Sequence, residues 1–264
     1  MPIKTFVIFT LLLLALPGVT PIRAQDVVTQ RQDLSQDLFD LERSYRGQLD
    51  EYRRYEREYQ LAYEQNTKLQ TLSSLETLVQ ATHRVMTTRA LVLHTYFRLM
   101  RITVLDAEGI NTQHKDRLLS SLDEAVARIE THQQLLEKSQ NRTALQQAAV
   151  EFEPLHENLL IISNYGQTVI QVGRLQNIYD NANVLLSRIE AEDASQLSAA
   201  EVSQRQRAIN ETKTSLQGVQ SQLQQANTEL EELVQRQADF YDLFYLTDVY
   251  DTLSKSIAFL TELR

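Results

Sequence analysis

The chain has 264 residues, a formal net charge of −9 and no cysteine. That acidic balance argues against nucleic acid and anionic lipid as general partners, since both select basic surfaces. The absence of cysteine excludes disulfides and a lipid anchor on a thiol. Past residue 24, Pro154 is the sole proline and glycine is confined to Gly47, Gly109, Gly166, Gly173 and Gly218. Gln, Glu, Leu, Ala and Arg dominate the rest, and these are good helix formers. So few breakers leave little room for strands and turns, and the expected class is all-α.

Residues 1–24 have the anatomy of a secretory leader. Lys4 gives a short positive start, Phe6 to Leu16 is apolar, Pro17 and Gly18 end the run, and Ala24 offers a small residue before Gln25. The apolar run is shorter than the ~20 residues needed to span a bilayer. No later window approaches that length. The expectation is an exported mature chain (periplasmic, envelope-associated or extracellular) over about 25–264 with no integral membrane segment. Losing Lys4 and Arg23 takes its charge from −9 to −11.

The first predicted helix covers about 28–105. Leu34, Leu38, Leu41, Tyr45, Tyr52, Tyr55, Tyr59 and Ala62 alternate three and four apart, missing only Gln48. That spacing is a heptad seam. The phase shifts after Leu69 through Leu72 and Leu75, and a break near Asn66 is the alternative to a continuous helix. Beyond it come Val79, Met86, Ala90, Leu93, Phe97, Met100 and Val104, a richer stripe that suits a deeper core. Gly109 ends the helix, and Asn111 or Thr112 can cap the next.

The second predicted helix, about 113–139, carries Leu119, Leu122, Val126, Ile129, Gln133 and Leu136 on one side. The third, about 142–192, carries Leu145, Ala148, Phe152, Leu155, Leu159, Ile162, Gly166, Val169, Leu175, Ile178, Ala182, Leu185 and Ile189. Pro154 lies inside that stripe and removes a backbone donor. Gly166 and Gly173 share a face on which a neighbouring helix can approach closely. After a turn at 193–197, Ser198 and Glu201 fit a capping box. The fourth helix then runs to about 263. Ile209, Thr212, Leu216, Val219, Leu223, Ala226, Leu230 and Leu233 keep heptad spacing, and Phe240, Tyr241, Phe244, Tyr245 and Tyr250 follow.

Short connections make neighbouring helices antiparallel. The expected fold is therefore an elongated antiparallel helical bundle of about four long helices with coiled-coil extensions. Its parts are the leader (1–24), an N-terminal arm with Tyr-rich heptads (25–68) and a bundle (69–264) with a coiled-coil hairpin at about 175–220. At about 1.5 Å per residue, all four helices overlap only in a middle zone, and the arm projects about 50 Å past it.

Catalytic and metal signatures are sparse. His83, His94, His114, His132 and His156 form no zinc spacing. Glu153 and His156 make one Glu-x-x-His pair, whereas di-iron bundles need two such pairs and two further glutamates. No phosphate-binding or nucleophile-elbow motif occurs, so no cofactor and no enzymatic activity are expected. The arginines among the tyrosines are balanced by acids, as in Glu42–Arg46 and Asp50–Arg54, which disfavours base stacking. The expected function is that of an exported non-enzymatic scaffold or protein-interaction module. Tyr45, Tyr52, Tyr55, Tyr59 and Tyr63 form its association surface, for self-association or for another helical protein. The alternatives are a ligand-binding or sensor bundle with its site near His83, His94 and Gly166, and a periplasmic holdase-type chaperone. A pore-former ranks below these, because no strongly apolar hairpin is present.

Overall fold

The structure is a computed structural model that describes residues 25–192, 198–236 and 245–262. Among these residues the chain is all α, in six helices: α1 (Gln25–Leu69), α2 (Leu72–Asp106), α3 (Thr112–Lys138), α4 (Arg142–Ala191), α5 (Ala199–Arg236) and α6 (Tyr245–Glu262). No helix among them is long and apolar enough to cross a membrane. The leader expected over 1–24, and Phe240, Tyr241 and Phe244, lie outside the described residues.

Side-chain caps set several boundaries. Asn111 Oδ1 accepts from Gln113 N (2.9 Å) at the start of α3, and Asn141 Oδ1 accepts from Ala144 N (2.9 Å) at the start of α4. The capping box expected before α5 is present: Ser198 N donates to Glu201 Oε2 (2.8 Å) and Glu201 N donates to Ser198 Oγ (3.4 Å). Each cap satisfies a backbone donor that the helix itself leaves free.

The single helix expected over 28–105 is instead two helices. Gln70 adopts φ +49°, in the left-handed region. Thr71 then opens α2 with its own capping box, accepting from Ser74 N (3.2 Å) and donating its backbone N–H to Ser74 Oγ (3.1 Å). The chain reverses and α1 lies along α2. The projecting arm is thereby corrected: the seam of α1 is covered from within the same chain. Leu49 and Tyr52 meet Val92 of α2, flanked by Tyr45 and Val85, and Arg84 reaches Glu58 at 3.8 Å.

Each helix packs on its successor, and α4 packs in addition on α2 and α6. The bundle is therefore two three-helix groups, α2–α3–α4 and α4–α5–α6, that share α4, with α1 laid on α2. The expected antiparallel bundle of about four long helices is roughly met, with α2 to α6 contributing to one continuous core. The shared stretch of α4 shows why: Ile162, Tyr165, Gly166, Thr168, Val169, Ile170, Val172, Gly173 and Leu175 are all buried, so more than half of the helix surface is covered, and only the side of Gln167, Gln171 and Arg174 stays open. Arg205 donates to Ile189 O and to Glu192 (3.1 Å), which pins the start of α5 to the end of α4.

The fourth predicted helix also divides. Tyr245 Oη donates to Glu229 Oε2 at 2.9 Å. Sixteen residues of straight helix would separate these groups by about 24 Å. α6 therefore runs back along α5 and does not extend it. The heptad positions of α5 from Ile209 to Leu230 are buried as expected.

Two glycines set close approaches. Met100 of α2 and Leu118 of α3 pack where a side chain on Gly166 would stand. Gly109 turns the chain between α2 and α3 at φ +79°, and a Cβ there would meet Gly173 O and lie 2.7 Å from Asn177 N.

α3 differs from expectation by one step around its axis. Its buried residues are His114, Leu118, Leu122, Ala125, Ile129, His132 and Leu136. Leu119, Val126 and Gln133, expected in the core, are half-buried. The true stripe is four and three apart throughout, and it carries two histidines.

Candidate functional site

The five tyrosines of α1 separate into inner and outer positions. Tyr52 is buried (8% exposed) against Leu49 and Val92. Tyr45 is half-buried, with its ring centroid 6.0 Å from that of Tyr96 on α2. Tyr55 and Tyr59 are half-buried at the flanks, with Arg54 Cζ 4.8 Å from the Tyr55 ring and the Tyr59 and Tyr63 centroids 6.2 Å apart. Tyr63 is exposed. Burial pushes the phenols of Tyr45, Tyr52 and Tyr59 up from their ordinary value. The Glu42–Arg46 pair expected from spacing forms at 3.8 Å, whereas Arg54 pairs with Glu51 (3.2 Å) and leaves Asp50 to Arg53 (3.5 Å).

The positions expected for a sensor ligand do not converge. His83 Nε2 lies 3.1 Å from Leu136 O, and His94 Nε2 lies 3.0 Å from Glu130 Oε1. Eleven helical residues separate the two histidines by about 16 Å along the axis. Gly166 is covered by Met100.

At the junction of the two helix groups, His114 bridges α4 and α5. Its Nε2 lies 3.3 Å from Asn227 O and its Nδ1 lies 3.0 Å from Tyr165 Oη. Burial holds the imidazole below its ordinary pKa. The neutral ring therefore donates through Nε2 to the carbonyl and accepts the tyrosine proton at Nδ1.

A second polar group lies within the α2–α3–α4 group, organised around the ring of Phe152 on α4. Arg89 Cζ from α2 stands 3.9 Å from the ring centroid. His132 from α3 lies 4.9 Å away and His156, one turn along α4, 5.8 Å. Arg89 Nε and His132 Nε2 are both buried without a hydrogen-bond partner among the described residues. Burial lowers the pKa of Arg89, opposed by the nearby phenol of Tyr52 from α1. His132 is lowered to about 4 by burial and then by the charge of Arg89, against a weaker pull from Glu151. His156 is lowered for the same two reasons, against Glu157. Glu151, Glu153 and Glu157 all lie exposed on α4. The group is thus one cation, two neutral imidazoles and an aromatic face, with the acids outside.

Sequence reasoning missed this group. His132 lies one residue from Gln133 of the expected stripe, and the Glu153–His156 spacing points to a metal pair and not to Phe152. The spacing of Leu118, Leu122, Ala125, Ile129, His132 and Leu136 is as regular as that of the expected stripe, so periodicity alone does not select it. Comparison with protein-family models, with curated proteins and with solved structures returned no match.

Proposed function

We propose that this chain is an exported, non-enzymatic helical-bundle protein that works as a scaffold or protein-interaction module, with the outward side of α1 as its contact surface. The observation that carries the reading is the placement of α1 along one face of α2 with apolar side chains left outside. Phe39 (60%) and Leu61 (57%) are exposed on that outer side, and Tyr63 (48%) is exposed at the edge of the seam. The folded-back arm narrows the association surface to this outer side, since Tyr45 and Tyr52 serve the α1–α2 contact. The partner is a second copy of the chain or another helical protein of the envelope or extracellular space.

Light scattering across a concentration series tests self-association, and in-cell crosslinking followed by pull-down tests a foreign partner. Leu61→Glu and Tyr63→Glu are expected to abolish the assembly without altering helicity. A strict monomer at high micromolar concentration, with a crosslinking pattern unchanged in both variants, would remove this reading.

A further inference from the structure

We infer that Arg89, His132 and His156 form an internal binding site for a small oxyanion, of the kind presented by a carboxylate or a phosphate. The inference does not rest on the association reading. It rests on four side chains that the fold brings together from three helices around the ring of Phe152.

Arg89 is half-buried with its Nε atom fully withdrawn from water, and a cation so placed is normally paired with an acid. No ion pair to Arg89 occurs among the described residues. The groups near this cluster are Tyr52 from α1, His132 from α3, and His156, Glu151 and Glu157 from α4. Burial keeps the Tyr52 phenol protonated, and the two acids are exposed. Stacking on Phe152 places the guanidinium against a π-face, a favourable contact that leaves its N–H edge available. Arg89 Nε on that edge is buried and unpartnered, as is His132 Nε2 on the neighbouring ring. An oxyanion would supply the missing negative charge and accept from both nitrogens. Arginine suits this because its planar fork matches an oxyanion edge. The bound charge would also favour protonation of His132.

The purified chain is unfolded thermally at neutral pH and fixed ionic strength, with chloride replaced stepwise by acetate or by inorganic phosphate. A saturable Tm rise of several degrees is expected at about a hundred times the dissociation constant of the effective anion. Which of the two acts distinguishes a carboxylate from a phosphate site. Arg89→Met should lose the rise, and Arg84→Met, an exposed arginine paired with Glu58, should keep it. The NMR titration of His132 in the wild-type chain gives a readout that needs no variant: its pKa should move up from about 4 when the anion is present. An unmoved His132 titration overturns the inference even if Arg89→Met fails to fold. A Tm rise of equal size for both anions that persists in Arg89→Met also overturns it, as a general salt effect.

Discussion

The guanidinium carbon of Arg89 stands 3.9 Å above the ring of Phe152 while its Nε has no hydrogen-bond partner. The contact gives part of what the charge loses on leaving water, and the unpaired nitrogen leaves the rest uncompensated. Arg89→Met keeps the length and apolar stem of the side chain and removes the charge. In chloride buffer it is expected to stabilise the fold by about 1–3 kcal/mol, seen as a higher urea midpoint at unchanged slope. A lower midpoint would show that the stacked cation is worth more than its desolvation.

Acid should destabilise the bundle through His132. Its pKa in the fold is about 4, below the ordinary value of 6.5, so the unfolded chain binds the proton more readily. Stability is therefore full above pH 6.5 and is lost as pH falls toward 4. The loss from this group is on the order of 2–3 kcal/mol. His114 and His156 are shifted the same way. Urea titrations at a series of pH values should show the slope, and His132→Gln should flatten it.

Gly109 holds φ +79° against the backbone of α4 at Gly173 and Asn177. An alanine there meets both a disfavoured backbone conformation and atoms that cannot move aside. Gly109→Ala is expected to cost about 2 kcal/mol or more in chemical denaturation. Gly47→Ala, where nothing lies within 4 Å, should be neutral or slightly stabilising because it sits inside α1.

Tyr52 lies on the heptad seam of α1 and Tyr63 lies beside it, and the two differ in burial. Tyr52→Ala removes a ring packed on Val92 and should cost about 2–4 kcal/mol. Tyr63→Ala, at an exposed position, should change stability by less than about 0.5 kcal/mol. Equal effects would mean that α1 does not rest on α2 in solution.

Helix content, the caps at Ser198 and Asn111, and most of the buried stripes of α2, α4 and α5 could all be read along the chain. These are local properties: hydrophobic period and end chemistry act within one or two turns. The stripe of α3 was ambiguous for an equally local reason. Leu119, Val126 and Gln133 stand one residue from Leu118, Ala125 and His132, and both sets are about as apolar, so only the partners of the helix separate them.

The sequence by itself determined that this chain is helical, where several of its helices begin, and which faces of most of them seek burial. It did not determine which faces meet. A single left-handed residue, Gln70, turns α1 back onto α2, and no glycine or proline marks the place. The Arg89 group draws on residues far apart in the chain, each unremarkable on its own helix. Periodicity orients a side chain about its own axis, whereas convergence depends on how rigid helices pair after the chain reverses. That pairing comes from the summed contacts of whole surfaces, and those exist only in the folded molecule.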